Sequence, residues 1–234
     1  GKVSFERLRD ELTKALAASG GEGIGVLFKS GILNCLFAGD AFAAYGWHPP
    51  RLPHPGRDWV WAWIFSNFVL QDTTHVSLES RSVLSDISNA FRQIKLSNAQ
   101  QLSQMRALKL LQMGRALSIL PSPSIAEASS FGVYREGQVL LELDHPCREI
   151  IWTWWQVLGI DVEYWQQKWK QISCGSSCLP KPFLRGQDCQ GFGLQSGPWM
   201  GELLSEAYLL QLENSLQNRE QALTWLNGKV KKTI

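Results

Sequence analysis

Apolar residues in this chain recur at intervals of three and four, in stretches that Gly and Pro cut short. Nowhere do β-branched residues alternate over a sustained run. Such spacing lines one face of a helix, whereas a strand needs a period of two. The chain is therefore expected to be all-α, an elongated multi-helix array of short helices. The pattern predicts a helix over 3–18, stopped by Gly20-Gly21, and short helices over 22–37 with a break at Gly31. Gly46, Pro49, Pro50, Pro53, Pro55 and Gly56 make 46–57 a loop and the clearest boundary. Asp58 is expected to cap a helix to Leu70. Further helices are predicted over 79–93 and 97–119, with Ser97 capping the second and Pro121 and Pro123 closing it.

Beyond these, one or two helical turns are expected in 124–130 and a short helix over Arg135–Leu143, although Val139–Leu143 is also the best strand candidate. Pro146 suits the first turn of a helix to Val157, and Asp161 the cap of one to Gln171. Residues 173–198, rich in Gly, Ser, Pro and Cys, read as an ordered loop with one short helix. Gly197-Pro198 opens a helix over 199–214, and Asn218 caps the last, over 219–230.

With 234 residues, 44% of them hydrophobic, the chain is long enough to bury a core in one or two domains, which excludes disorder and collagen-like repeats. No apolar run approaches the ~20 residues of a membrane-spanning helix; the longest, near 59–65, ends at Ser66-Asn67. Five Cys and no signal-peptide pattern imply a reducing compartment, so a cytoplasmic location is expected. The chain opens at Gly1 directly onto a helical pattern, and reads as a piece of something longer.

The catalytic inventory is poor. There is no Gly-rich phosphate loop and no Gly-x-Ser-x-Gly, so no catalytic residue is nominated. His48, His54 and His145 neighbour prolines, which places them in turns. Cys174-x3-Cys178, with Cys189 beyond, is open to two readings: part of a zinc site, or buried and surface thiols. The second compact pair that zinc prefers is missing, and no metal ligand is nominated. Eleven Trp admit stacking on bases or packing in a core. The helical spacing of Trp155, Trp165 and Trp169 favours the core.

Two features carry charge or backbone chemistry. Between Arg81 and Arg115 stand six basic residues, Arg81, Arg92, Lys95, Arg106, Lys109 and Arg115, and a single acid, Asp86. That window is +5 in a chain of net +2, and the next, 116–150, is −3. Arg106 and Lys109, three apart, share a helix face that attracts phosphate or is simply solvated. The second feature is Lys181, Arg185 and Gly186, followed by Gly193 and by Gly197-Pro198-Trp199-Met200-Gly201. Glycines allow close approach of a ligand or of another helix, and a helix starting near 198 points free N–H groups outward, where phosphate binds.

Read in order, Leu184-Arg185-Gly186-Gln187-Asp188, Gly193, Gly197-Pro198-Trp199-Met200-Gly201-Glu202-Leu203-Leu204, Gln211-Leu212-Glu213 and Asn218-Arg219-Glu220-Gln221-Ala222-Leu223-Thr224-Trp225-Leu226 resemble the tail of a known family. It is the bacterial-type (class II) tRNA nucleotidyltransferase and poly(A) polymerase family of CCA-adding and A-adding enzymes. Val3-Ser4-Phe5-Glu6-Arg7-Leu8-Arg9-Asp10-Glu11-Leu12, with Gly31-Ile32-Leu33, is similar to the family's neck, and Lys95-Leu96-Ser97-Asn98 to a helix start in its body. Leu8 stands where the family has Ile, and Cys189 where an aliphatic residue follows the Asp.

The resemblance implies a neck-like helical remnant over 1–47, a body-like domain over 48–120 and a tail-like domain over 121–234. It implies that the catalytic head, with its metal-binding and nucleotide-selecting motifs, lies upstream of Gly1. Mg²⁺ and CTP or ATP would bind that head, so no cofactor is expected here. The partner implied is tRNA, gripped along the acceptor and T-stem backbone, with a separate or upstream head as a second partner and no membrane. The contacts expected are Arg92, Lys95, Arg106, Lys109, Arg115, Lys181, Arg185, Gly186, Gly197 and Gly201. Arg7 and Glu11, one turn apart, are expected to brace the neck or to form an ordinary ion pair. Two other readings stay open, a helical protein–protein scaffold and the non-catalytic half of a split enzyme.

Overall fold

The computed structural model describes residues 4–18, 24–33, 37, 52–71, 81–119 and 135–231. Among these the protein is all-α, with eleven helices and no strand. They are α1 (Phe5–Ala18), α2 (Ile24–Lys29), α3 (Val60–Gln71), α4 (Arg81–Gln93), α5 (Asn98–Ile119), α6 (Glu136–Leu143), α7 (Arg148–Val157), α8 (Val162–Ser173), α9 (Gly186–Gly191), α10 (Pro198–Leu212) and α11 (Arg219–Lys231). The Val139–Leu143 stretch is helical, and Val139, Leu140 and Leu143 are buried on one side of α6. The turns expected in 124–130, His48, His75 and residues 46–51 of the 46–57 loop lie outside the described residues.

The chain forms two compact units, one of residues 1–123 and 146–161, the other of 124–145 and 162–234. Residues 146–161, which the sequence alone placed in the tail-like domain over 121–234, thus cluster with the N-terminal unit.

In the first unit α3 is buried on every side from Val60 to Val69, including Ser66 and Asn67. An apolar helix without a polar face has only a core to occupy. Trp61 and Trp63 lie within this buried run. α5 packs on α3, α4 and α7. Each of four indole N–H groups in this core finds an acceptor: Trp61 on Thr13 Oγ1 (3.1 Å), Trp63 on the Leu52 carbonyl (2.7 Å), Trp154 on that of Pro53 (3.0 Å) and Trp155 on that of Leu110 (3.0 Å). A buried indole needs such a partner to avoid stranding its donor. The reading of the tryptophans as core holds for Trp152, Trp154, Trp155, Trp165 and Trp169, all buried.

Helix starts follow local chemistry. Ser97 accepts the Gln100 N–H on its Oγ (3.3 Å) while Gln100 Oε1 accepts the Ser97 N–H (3.0 Å), a reciprocal capping box. Asn218 Oδ1 accepts the Gln221 N–H at 2.9 Å and caps α11 as expected. Asp58 does not cap α3. The first intrahelical bond runs from the Trp63 N–H to the Trp59 carbonyl, and Gln104 of α5 supplies the missing cap. Its Oε1 accepts the Ala62 N–H at 2.7 Å and its Nε2 donates to the Asp58 carbonyl. Likewise Pro146 precedes α7 by two residues, and Cys147 occupies the cap position.

In the second unit α10 packs against α6, α9 and α11. Its core joins Leu184 and Cys189 to Met200, Leu203 and Ala207 of α10 and Leu226 of α11. Gln211 repeats the device of Gln104, taking the Phe183 N–H on Oε1 (2.8 Å) and donating Nε2 to the Lys181 carbonyl (3.0 Å). Arg135, ahead of α6, makes a two-pronged pair with Glu213 at the end of α10.

Candidate nucleic-acid interface

The ten residues expected to touch RNA divide evenly between the units, Arg92, Lys95, Arg106, Lys109 and Arg115 in the first and Lys181, Arg185, Gly186, Gly197 and Gly201 in the second. Lys109 is exposed and Arg106 half-buried on α5, on the face that their three-residue spacing predicts. Arg115 is nine residues from Arg106, about two and a half turns, which turns it to the opposite side. There its guanidinium donates to the Val69 carbonyl at 3.1 Å, at the C-terminal end of α3, where helix carbonyls carry partial negative charge. Arg92 is exposed and donates to Asn89 Oδ1 at 2.9 Å.

Lys95 is held at a joint. It ends α4 with a left-handed backbone, φ 55°. The Leu96 N–H returns to the Phe91 carbonyl and the Lys95 N–H to that of Arg92, the pair of bonds that closes a helix with a left-handed residue. Its ammonium pairs with Glu6 of α1 at 2.8 Å, and its carbonyl accepts from Arg9. The Lys95 ammonium, followed by a backbone N–H, holds the Glu6 carboxyl down to about 2. The sequence did not announce this link, because Glu6 and Lys95 lie 89 residues apart.

The expected Arg7–Glu11 pair does not form among the described residues. Glu11 pairs instead with Lys14 at 3.1 Å, and the polar contact seen for Arg7 is its backbone N–H on Ser4 Oγ. A lysine three residues ahead competes on equal terms with an arginine four behind.

In the second unit, Arg185 is exposed at the start of α9. Its N–H donates to Asp188 Oδ2 at 2.7 Å, and Asp188 also pairs with Arg219 of α11. Burial pushes the Asp188 carboxyl up, but the Arg185 N–H and the Arg219 guanidinium outweigh it and the net shift is downward. A Cβ on Gly186 would sit 3.8 Å from Met200 Sδ, so Gly186 lies beside the first turn of α10. Lys181 is exposed on the strap that Gln211 pins.

The glycines separate into kinds that the sequence cannot tell apart. Gly197 and Gly201 are exposed and a Cβ at either would meet nothing within 4 Å, so they serve no helix packing. Gly193 stops α9: φ is +82°, and the Gly193 and Leu194 N–H groups return to the carbonyls of Gln190 and Cys189. Close approach occurs elsewhere, at Gly114, where a Cβ would collide with the Trp155 indole, and at Gly137, against the Leu209 backbone.

α10 starts at Pro198 after an extended Gly197 and carries no side-chain cap. The N–H groups of such a first turn are the ones helix geometry leaves without a carbonyl. Trp199 stands there 37% exposed, a residue to which the tail motif assigned no role. Cys189 is fully buried in the core of this unit and burial pushes its thiol up, whereas Cys174 and Cys178 are exposed. Among the described residues no group of three or more His, Cys, Asp and Glu is arranged to hold a metal, and no helix is long and apolar enough to cross a membrane. No protein-family model, no curated protein and no solved structure matches the chain.

Proposed function

We propose that this chain is the tRNA-binding neck, body and tail region of a tRNA 3′-end nucleotidyltransferase, gripping the acceptor and T-stem backbone while a catalytic head outside these residues adds nucleotides. The observation that carries the reading is the open backbone at the start of α10. Gly197 and Gly201 have no neighbour to pack against, the first turn is uncapped, and the Arg185–Gly186 segment lies beside it. Uncapped N–H groups suit a phosphate, the exposed Arg185 next to Gly186 in sequence adds positive charge, and an exposed Trp199 offers a stacking face. The Arg106–Lys109 face of the first unit supplies a second basic surface. Backbone reading fits duplex RNA, whose deep groove hides its base edges.

A gel-shift titration with tRNA at two salt concentrations tests this. Binding is expected to weaken steeply with salt, and Arg106→Glu, Lys109→Glu and Arg185→Glu each to weaken it alike for different tRNAs. Absence of binding at micromolar protein and low salt would sink the reading.

Exposed Phe5 (47%) and Val26 (70%) on the N-terminal helices, with Ile32 (40%) three residues past α2, favour a second reading, in which that end docks another polypeptide, including the head of a split enzyme. Mixing the chain with a separate head and measuring CMP or AMP incorporation distinguishes the two.

A further inference from the structure

Cys174 and Cys178 stand exposed on the bend that follows α8, and neither is in a disulfide. The bend is tight. The Ser176 N–H donates to the Ser173 carbonyl at 2.9 Å and the Cys178 N–H to Ser176 Oγ at 3.3 Å, while Cys174 (φ 51°) and Gly175 (φ 81°) are both left-handed. Ser176 Oγ also lies 3.5 Å from Cys178 Sγ.

Both ends of the bend are fixed. Ser173 and Leu179 are buried, the Tyr208 hydroxyl donates to the Pro180 carbonyl at 2.9 Å, and Gln211 holds the backbone of Lys181 and Phe183. Two accessible thiols are thus confined to one short arc. The remaining described cysteine of this unit, Cys189, is fully buried and does not compete.

We propose that Cys174 and Cys178 are a dithiol pair that closes to a disulfide within the bend when it meets a low-molecular-weight disulfide. With oxidised glutathione, one thiolate, written here for Cys178, attacks a glutathione sulfur. The S–S bond breaks, a mixed disulfide forms and one glutathione leaves as its thiolate. The Cys174 thiolate then attacks the Cys178 sulfur and expels the second glutathione. Two protein thiols are oxidised to one disulfide, one glutathione disulfide is reduced to two thiols, and these take up the two protons. The arc gives the second thiol an effective concentration on the order of millimolar or above, so the mixed disulfide is short-lived. The proposal stands independently of RNA binding.

The test incubates the full chain with oxidised glutathione under native conditions, alkylates the remaining thiols after unfolding, and maps the peptides by mass. The peptide carrying both cysteines is expected unalkylated and lighter by two hydrogens, and reducible by dithiothreitol. Cys174→Ser and Cys178→Ser are each expected to accumulate the mixed disulfide at least about tenfold more than the unaltered chain. Glutathione retained on both sulfurs of the unaltered chain, thiols that stay alkylatable, or a crosslink that persists in either variant would overturn the proposal. Should a variant lose its helical circular dichroism, the mass of the unaltered peptide decides alone.

Discussion

Gln104 sits at a core-facing position of α5 and satisfies two backbone groups at the start of α3, the Asp58 carbonyl and the Ala62 N–H. Gln104→Leu keeps the bulk and strands both, at a cost of about 1–3 kcal/mol for each group that stays buried. Gln211→Leu strands the Phe183 N–H and the Lys181 carbonyl in the same way. In urea titrations both variants are expected to lose at least about 2 kcal/mol, whereas Gln190→Leu, at an exposed position, stays within about 0.5 kcal/mol. Equal stability of all three would show that water replaces the glutamines.

Part of this residue chemistry was legible in the sequence. Ser97 and Asn218 read as caps because their partners lie three residues away on the same strand of chain. Asp58 misled because the group that caps α3 comes from a residue more than forty positions downstream, at 104. A glutamine on an apolar stripe was the available signal, and it is visible at both 104 and 211. Arg115 was indistinguishable from Arg106 in charge alone; only the position of α3 turns it into a cap for the Val69 carbonyl.

At the scale of elements, glycine divides by what faces it. Gly114 lets the Trp155 indole reach the Leu110 carbonyl across the α5–α7 contact. Gly114→Ala improves helix propensity by about 1 kcal/mol, yet drives a methyl into a buried ring, and overpacking of this kind costs about 1–3 kcal/mol and occasionally more. A net loss of stability is expected. Gly201→Ala meets open space in the first turn of α10 and is expected to raise the thermal midpoint by a few degrees. If the uncapped turn holds phosphate, the same methyl weakens tRNA binding, so stability and affinity move in opposite directions. A Gly201→Ala chain that binds tRNA unchanged would count against α10 as a contact. The sequence showed the helices well because their breakers are local. It could not sort the glycines, since a close approach is a property of two elements.

At the scale of the molecule, the chain passes between units at 123/124, 145/146 and 161/162. Cutting at the first crossing does not free a domain. Residues 1–123 lack α7, and with it Trp154 and Trp155, whose indoles are fully buried in the first unit. That fragment is expected to show no cooperative thermal transition, while 1–161 regains one; a sharp transition in 1–123 would refute the dependence on α7.

Acid is expected to weaken the first unit in two steps. Burial lowers the His54 pKa below its ordinary 6.5, against a smaller opposing effect of the Leu16 carbonyl, so the folded state prefers neutral imidazole. That stability is complete above about pH 6.5 and is lost as pH falls. Glu6 adds a second loss as pH falls from its ordinary 4.5 toward about 2, because the folded state prefers its ionised form. Stability measured against pH should flatten over the first range in His54→Gln and over the second in Glu6→Gln. Unchanged slopes would remove these groups as the cause. Asp188, also held ionised, acts with the same sign in the second unit.

The interleaving of the two units also sets a timetable for synthesis. A ribosome releases residues 1–123 before α7 exists, so the first core stays open until Trp154 and Trp155 emerge. It also releases α6 well ahead of α10, the helix against which α6 packs. At about 5–20 residues per second, the nascent chain carries Val139, Leu140 and Leu143 uncovered for several seconds, an interval in which a chaperone that binds apolar segments has first access to them.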